Sequence, residues 1–388
     1  MITVRVNYND ANTNIEFPCD ESYLYAKLAE LHVPDEEKVS PKLFVEEVMD
    51  FDEIKCIEEN FVDLDELNYF AKRLDSFDSK GVMKFKSAIS LGWLTTMPDL
   101  INLTFNEQYY TLIQDMSSPE RIGKQHYLTR NGGISESEML EIDFEKIGKD
   151  LIKSSQAKLT AYGLIVVNDD LEYERPYNGR TFPPFYYDDR KIGLMLEYKG
   201  EKEYIYLPDL PITIDKALNR LGAESIEDCK LQFDSINYPN KEIDAILTKV
   251  LENDGVNALN ALANNLKFYC TEEDLNNFPD IVEYVDAEDF DTIMKISETP
   301  DSFIILRNVW NDEQLGKKWI DDFTDYWIED DLAIYFDFES YGEHIREETD
   351  GKFMDYGDYI CVEEGMTIKE VLAKVEKQTS DMTMQGYT

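Results

Sequence analysis

The sequence has few residues of the kinds that build metal centres, disulfide frameworks and histidine-based active sites. Its 388 residues include only five cysteines and three histidines. The cysteines are odd in number, far apart and without a CxxC pair, which fits neither a disulfide framework nor a zinc site. This cysteine usage predicts that the protein resides in a reducing cytoplasm. The histidines, His32, His126 and His344, have no nucleophile motif such as GxSxG beside them, which argues against a catalytic triad.

Phosphate-binding loops and long apolar runs are also missing. No GxxxxGK[ST] or GxGxxG motif is present, so the sequence predicts no nucleotide cofactor. The acidic stretch 286–297 lacks the fifth-position oxygen ligand and sixth-position glycine of an EF-hand loop, so no calcium or other metal site is predicted. The first ten residues do not resemble an export leader, and no apolar run approaches the roughly 20 residues of a membrane span.

Basic residues are scarce relative to acidic ones. Eighty-one Asp and Glu oppose 38 Lys and Arg, which gives a formal net charge of −43. Solubility alone requires far less charge than this. The 24 Tyr, 20 Phe and 4 Trp distinguish the chain from disordered acidic sequences, because they supply material for packed cores. The composition therefore predicts a folded protein with a strongly acidic surface.

The sequence contains an internal repeat. Matching segments of its two copies are separated by 190 residues near the start and by 194 residues near the end. Near the start of each copy, matching apolar positions fit two short strands and a helix: Tyr8, Ile15, Pro18, Leu28 and Leu31, then Tyr198, Ile205, Pro208, Leu218 and Leu221. Further matches join residues 122–124 to 315–317, 142–151 to 336–345, and 158–163 to 352–357.

The middle of each copy contains a helical pattern. Segments 66–74 and 258–266 place apolar residues at positions i, i+3, i+4 and i+7, which predicts one apolar helix face in each. These residues are Leu67, Phe70, Ala71 and Leu74, and Leu259, Leu262, Ala263 and Leu266. Between the copies, the aromatic, Pro-containing segment 173–190 is expected to be an ordered connection, because its aromatic rings need burial.

The predicted fold class is α+β, in an elongated modular protein with two tandem copies. Each copy has an α/β start, a helical middle and an α/β end, followed by a flexible tail. The predicted modules are 1–62, 63–113 and 114–189 in copy 1, 190–254, 255–305 and 306–375 in copy 2, and 376–388 for the tail.

Both copies are acidic. Residues 1–190 contain 36 acids and 20 bases, and residues 191–388 contain 45 and 18. The densest stretch, 321–350, has twelve carboxylates and one base, Arg346, interleaved with aromatics expected to anchor it to a core. Since duplex DNA carries two charges per base pair, −43 is the charge of about 21 base pairs. Such a surface would be attracted to basic DNA-binding clefts and repelled by DNA itself.

These segments together resemble the ArdA antirestriction family. The resemblance rests on residues 258–266, 271–296, 312–322 and 334–345, including the aromatic–Asp–aromatic–Glu pattern of 336–339, and on the parallel order of 63–74, 101–113 and 142–151. It implies a non-enzymatic DNA mimic that inhibits type I restriction-modification enzymes, in the cytoplasm of a bacterium that harbours a mobile element or phage. Family members match one copy, so the duplication implies a covalent pseudo-dimer, which acts as a monomer or a homodimer.

The resemblance assigns no catalytic residue, but it implies an acidic surface that contacts a DNA-binding protein such as a defence enzyme. The acidic residues of the matched motifs are Asp143, Glu145 and Asp150, and Asp337, Glu339 and Glu343. The acid-rich stretches of copy 2 add Asp286, Glu288, Asp289, Asp291, Asp321, Asp322, Asp325, Glu329, Asp330 and Asp331.

Two other functions remain open at this point. Asp189 with Glu197 and Lys199 forms a short D…ExK pattern that could hold Mg²⁺ in a nuclease, although copy 1 has Asn7 and Asn9 at the last two positions. Alternatively, the chain is an acidic scaffold for a protein partner unrelated to DNA, which would favour a compact surface with one apolar patch.

Overall fold

The computed structural model describes residues 1–92, 94–363 and 365–373, and it has the mixed α+β fold that the sequence predicts. The chain forms two compact units. Unit 1 comprises Met1–Asp189, Leu194–Ile205 and Leu210–Gln232, and unit 2 comprises Arg190–Gly193, Tyr206–Asp209 and the chain from Phe233. Unit 1 therefore contains all of copy 1 and much of the first module of copy 2. The predicted tail, 376–388, lies outside the described residues.

Copy 1 begins with a four-stranded antiparallel sheet in the order β2-β1-β3-β4. Alternate residues of β1, such as Val4 and Val6, are buried, as expected for a strand with one face on a core. Asn9 and Asp10 both have positive φ and form the tight turn from β1 to β2. The elements are β1 (Ile2–Tyr8), β2 (Ala11–Phe17), α1 (Glu21–Glu30), α2 (Asp35–Lys38), β3 (Lys42–Val48) and β4 (Asn60–Asp63).

Three helices follow, α3 (Leu64–Asp75), α4 (Ser79–Ile89) and α5 (Met97–Leu103). The Asp63 carboxylate accepts a hydrogen bond from the backbone N–H of Asp65 and caps α3. All four residues of the predicted apolar face of α3 are buried in the core of unit 1, which confirms that prediction.

Copy 1 ends with a three-stranded sheet, β5-β7-β6, and a packed helix pair, α6 and α8. The predicted boundary after residue 113 is wrong for this sheet, because β5 precedes the boundary and pairs with β7 beyond it. The elements are β5 (Tyr110–Ile113), α6 (Pro119–Asn131), α7 (Glu136–Glu141), α8 (Phe144–Lys153), β6 (Ala157–Thr160) and β7 (Gly163–Val167).

The connection 173–190 is ordered where it packs on unit 1. Tyr177 is buried, and its backbone N–H and C=O exchange hydrogen bonds with the Asn102 side chain at 2.9 Å each. The Phe182 ring stacks on Tyr69 with centroids 4.6 Å apart. Burial of these rings is the reason that the sequence predicts order here.

Copy 2 begins with the sheet β10-β8-β9, so the first three strands have the same neighbours as in copy 1. Lys199 and Gly200, at the turn from β8 to β9, have positive φ like Asn9 and Asp10. The elements are β8 (Ile192–Tyr198), β9 (Glu201–Leu207), α9 (Ile212–Leu221) and β10 (Lys230–Ile236).

The helical middle of copy 2 contains α10 (Ile243–Tyr269), α11 (Glu272–Val285) and α12 (Phe290–Glu298). Gly255 interrupts α10 with non-helical angles (φ 84°, ψ −176°) at the predicted module boundary. A residue with a side chain would be strained there. The predicted apolar face of 258–266 is buried, as predicted.

Copy 2 ends with the sheet β11-β13-β12 and the packed helix pair α13 and α15. Here the predicted boundary after residue 305 is also wrong, because it cuts strand β11, which pairs with β13. The elements are β11 (Phe303–Leu306), α13 (Asp312–Phe323), α14 (Asp330–Ala333), α15 (Phe338–Glu348), β12 (Lys352–Phe353) and β13 (Tyr359–Val362). No helix in the described ranges is both long and apolar enough to cross a membrane.

Candidate functional site

The predicted acidic surface is exposed wherever the structure describes its side chains. Asp330 lies at the start of α14, and its side chain is outside the described part. The other fifteen predicted carboxylates are exposed: Asp143, Glu145, Asp150, Asp286, Glu288, Asp289, Asp291, Asp321, Asp322, Asp325, Glu329, Asp331, Asp337, Glu339 and Glu343.

Few of these fifteen carboxylates are neutralised by a neighbouring base. Within the described residues, Glu145 forms an ion pair with Lys149 at 2.6 Å and Asp322 forms one with Lys318 at 3.0 Å. Both are pairs four residues apart on one helix, and exposed pairs of this kind stabilise a protein by only about 0–1 kcal/mol. Most of the charge of the acidic surface is therefore not neutralised by ion pairs among the described residues.

Three of these carboxylates also cap helices. Asp143, Asp289 and Asp337 accept hydrogen bonds from backbone N–H groups at the starts of α8, α12 and α15, at 2.9, 2.9 and 3.0 Å. The bonds from Thr292 and Ser340 lower the pKa values of Asp289 and Asp337, because they stabilise the ionised form. Capping fixes the position of these charges, and it gives the three residues a structural role as well.

A close contact between two helices positions the acidic helices α8 and α15. A Cβ atom at Gly148 would collide with the backbone carbonyl of Pro119 on α6, and one at Gly342 would collide with that of Asp312 on α13. Gly123 and Gly316 make the reciprocal approaches. The matched segments 122–124 and 315–317 therefore each contain a glycine that lets two helix backbones touch.

The charge of this repeated module differs sharply between the copies. Residues 114–167 contain eight acids and seven bases, whereas residues 307–362 contain sixteen acids and five bases. Helix pair and sheet order are the same in both. The fold of the module therefore does not require the acidic surplus, which is concentrated in copy 2.

The sequence predicts that the aromatic residues of 321–350 anchor the acidic stretch to a core. This prediction is wrong for residues 323–336, which we call the aromatic segment. Tyr326, Trp327, Ile334 and Tyr335 are 80%, 79%, 77% and 82% exposed. The true anchors lie on the flanking helices, where Trp319 and Ile345 are buried in the core of unit 2. Alternation of acidic and aromatic residues cannot distinguish a buried ring from an exposed one when the segment is largely irregular.

Sequence reasoning missed a buried ionic cluster inside unit 1. Lys216 on α9 is 2% exposed and forms ion pairs with Glu21 and Asp65, at 2.6 Å each. Arg220, one turn further on, lies near Asp65 and Glu203 at 3.5 and 3.3 Å. Burial lowers the pKa of Lys216, but the two carboxylates outweigh burial and leave it raised. No local sequence pattern predicts this cluster, because its members are distant in sequence.

The Glu and Lys of the D…ExK pattern do not both lie on a strand, as a nuclease site of this type would require. Glu197 lies in β8, but Lys199 lies beyond the strand in the turn, where its Nζ is 4.5 Å from the centre of the Tyr198 ring. Across the described ranges, no group of three or more His, Cys, Asp or Glu side chains is arranged to hold a metal ion. Segment 286–297 is mostly helix α12, with Asp289 as its cap.

Comparisons of the chain with protein-family models, with curated proteins and with solved structures give no match.

Proposed function

We propose that the protein is an antirestriction protein that imitates the charge of duplex DNA and competes with DNA for the binding cleft of a defence enzyme, most directly a type I restriction-modification enzyme. The observation that supports this most is the set of fifteen exposed carboxylates, of which only two have a Lys or Arg partner in the described chain, on a protein of net charge −43. The ArdA-like motifs supply the target class.

In this mechanism, carboxylates take the positions of phosphates against Lys and Arg side chains of the enzyme. Long-range attraction accelerates the encounter, and the many weak charge pairs hold the complex. Salt screens these charge pairs, as it does those between DNA and the enzyme, so the affinity falls steeply as salt is added. The protein acts by occupancy and needs neither a cofactor nor a catalytic residue. Its place of action is the cytoplasm of a bacterial host.

An acidic scaffold for a protein unrelated to DNA is the second candidate, and the exposed aromatic segment favours it, since a scaffold needs an apolar patch as well as charge. The two functions differ in one measurable property. A DNA mimic excludes DNA from its partner, whereas a scaffold binds its partner without doing so.

The test is displacement of a fluorescent duplex from a purified type I restriction-modification enzyme, with Mg²⁺ present and the duplex analysed for cuts afterwards. We expect displacement of intact duplex. Binding to the enzyme without displacement would favour the scaffold, and cut duplex in a control without the enzyme would indicate a nuclease.

A charge-reversed variant locates the surface. We expect D321K/D325K/E329K/D331K to weaken displacement by at least tenfold, because it removes four contacts and adds four repulsions. Reversal of four exposed acids outside the predicted surface, D10K/E30K/E36K/E201K, is the matched control for net charge. Equal weakening by both variants would show that only total charge matters and that the predicted surface is not the contact.

A further inference from the structure

The aromatic segment exposes large apolar side chains, of which Phe323 and Phe336 also contact the flanking helices through Trp319 and Phe338. Seven of its fourteen residues are large exposed hydrophobic residues: Phe323, Tyr326, Trp327, Leu332, Ile334, Tyr335 and Phe336. Exposure of so many large apolar side chains within one short segment typically marks an interaction surface.

Copy 1 provides an internal comparison. Segment 132–143 joins α6 to α8 as segment 324–337 joins α13 to α15, yet it contains no Trp, Tyr or Phe. Since the helix pair of copy 1 forms the same glycine contact without these rings, folding of the module does not explain them. A binding role does.

The surroundings of the aromatic segment define the chemistry of its partner. No Lys or Arg occurs between Lys318 and Arg346, while exposed carboxylates such as Asp325, Glu329 and Asp331 stand among the rings. A surface groove of about 420 Å³, lined by Lys317, Ile334, Phe336, Phe338 and Glu339 among others, adjoins it. Charge complementarity requires a basic partner, and Arg or Lys side chains bind both carboxylates and aromatic faces.

We infer that the aromatic segment is an apolar anchor for the DNA-binding cleft of the target enzyme, in which Arg and Lys side chains alternate with apolar or stacking groups. This inference rests on the proposed function and adds a second component to it. Proteins position DNA by phosphate contacts and read it by contacts to bases. The carboxylates correspond to the phosphates, and the rings of Tyr326, Trp327 and Tyr335 correspond to the bases.

An apolar anchor and a charged surface differ in how their contributions to the affinity respond to salt. Charge pairs set how steeply affinity falls with salt, whereas burial of aromatic rings contributes a portion of the affinity that salt does not remove. Loss of the rings should therefore weaken binding by the same factor at every salt concentration and leave the slope unchanged.

The experiment measures direct binding of the labelled full-length protein to a type I restriction-modification enzyme over a salt series, alongside duplex displacement. The variant is W327S/Y335S, and the matched control is F268S/Y269S, which removes two exposed aromatics (69% and 57%) from the end of α10. We expect W327S/Y335S to bind about 30-fold more weakly, as for loss of an interface hot spot, with an unchanged salt slope. The control should bind within twofold of the wild-type protein.

Wild-type affinity for W327S/Y335S at all salt concentrations would overturn the anchor while leaving the DNA-mimic proposal intact. Binding without displacement of duplex would overturn the proposed function instead, and no binding by the wild-type protein would overturn both. Sedimentation in the absence of enzyme adds a separate check: a wild-type dimer that W327S/Y335S abolishes would show that a second copy occupies the segment, which contradicts the anchor.

Discussion

At the scale of single residues, the carboxylates of this protein lie in two opposite environments. Those of the acidic surface are exposed and mostly without a basic partner among the described residues, whereas Glu203 is buried, Glu21 and Asp65 are partly buried, and all three pair with the cations Lys216 and Arg220. The first group follows from composition and local sequence. The second does not, because the partners are up to about two hundred residues apart and only the fold brings them together.

Removal of the buried cation should damage unit 1 strongly. K216M leaves Glu21 and Asp65 without their shared cation, and loss of one partner from a buried ion pair typically costs about 3–5 kcal/mol. Urea denaturation followed by circular dichroism measures the loss. The control is K27M, which removes a surface pair with Glu30 and should cost about 0–1 kcal/mol. Similar losses for both variants would show that the buried pairs are not important for stability.

The helix-capping residue Asp63 should make the free energy of unfolding depend on pH. Burial, reinforced by the nearby Asp65 charge, raises its pKa above the ordinary 3.8, so the folded state holds the proton more tightly than the unfolded state. The stability from this group is complete below 3.8 and is lost as pH rises through the raised pKa. Since Asn caps a helix as well as Asp does, D63N should keep the cap and remove this loss.

The measurement is urea denaturation at pH 5 and pH 8. D63N should lose less stability than the wild-type protein between the two. The exposed cap residue Asp20 offers the comparison D20N, which should follow the wild-type protein. Parallel behaviour of all three proteins would contradict the role assigned to Asp63.

At the scale of elements, apolar periodicity locates the helices, but it does not show how they pack. The faces of α3 and α10 are readable from Leu67, Phe70 and Leu259, since their spacing repeats with the helix. The close backbone contacts at Gly342 and Gly316 cannot be predicted from the sequence, because a glycine contributes nothing to the hydrophobic pattern. Predicted module boundaries fail at β5 and β11 for a similar reason, as their partner strands are more than 45 residues away.

A side chain at the helix contact should be poorly tolerated. G342A places a methyl group against the Asp312 carbonyl, so α13 and α15 must separate, at a cost of roughly 3 kcal/mol. Thermal unfolding of unit 2 reports this. E347A, at an exposed position of the same helix, should shift the midpoint little. An unchanged midpoint for G342A would mean that the close approach is not needed.

At the scale of the whole molecule, the chain contains two modules of similar fold and different charge. Residues 307–362 have eleven more acids than bases, and residues 114–167 have one more. Copy 2 is therefore expected to supply most of the binding surface. Sequence alone reveals the charge surplus, but the exposure of the rings around Trp327 required the structure.

The measurement that tests the central claim most directly is the salt dependence of direct binding to a type I restriction-modification enzyme, for the labelled wild-type protein and two matched neutral variants, with duplex displacement followed in parallel. D337N/E339Q/E343Q changes copy 2, and D143N/E145Q/D150N changes the acidic residues of the matched segment of copy 1, with Asn keeping the helix cap in each. We predict that wild-type affinity falls steeply with salt, that the copy 2 variant binds more weakly with a shallower slope, and that the copy 1 variant differs little. Binding that is independent of salt, or an equal response of all three proteins, would contradict DNA mimicry by this surface.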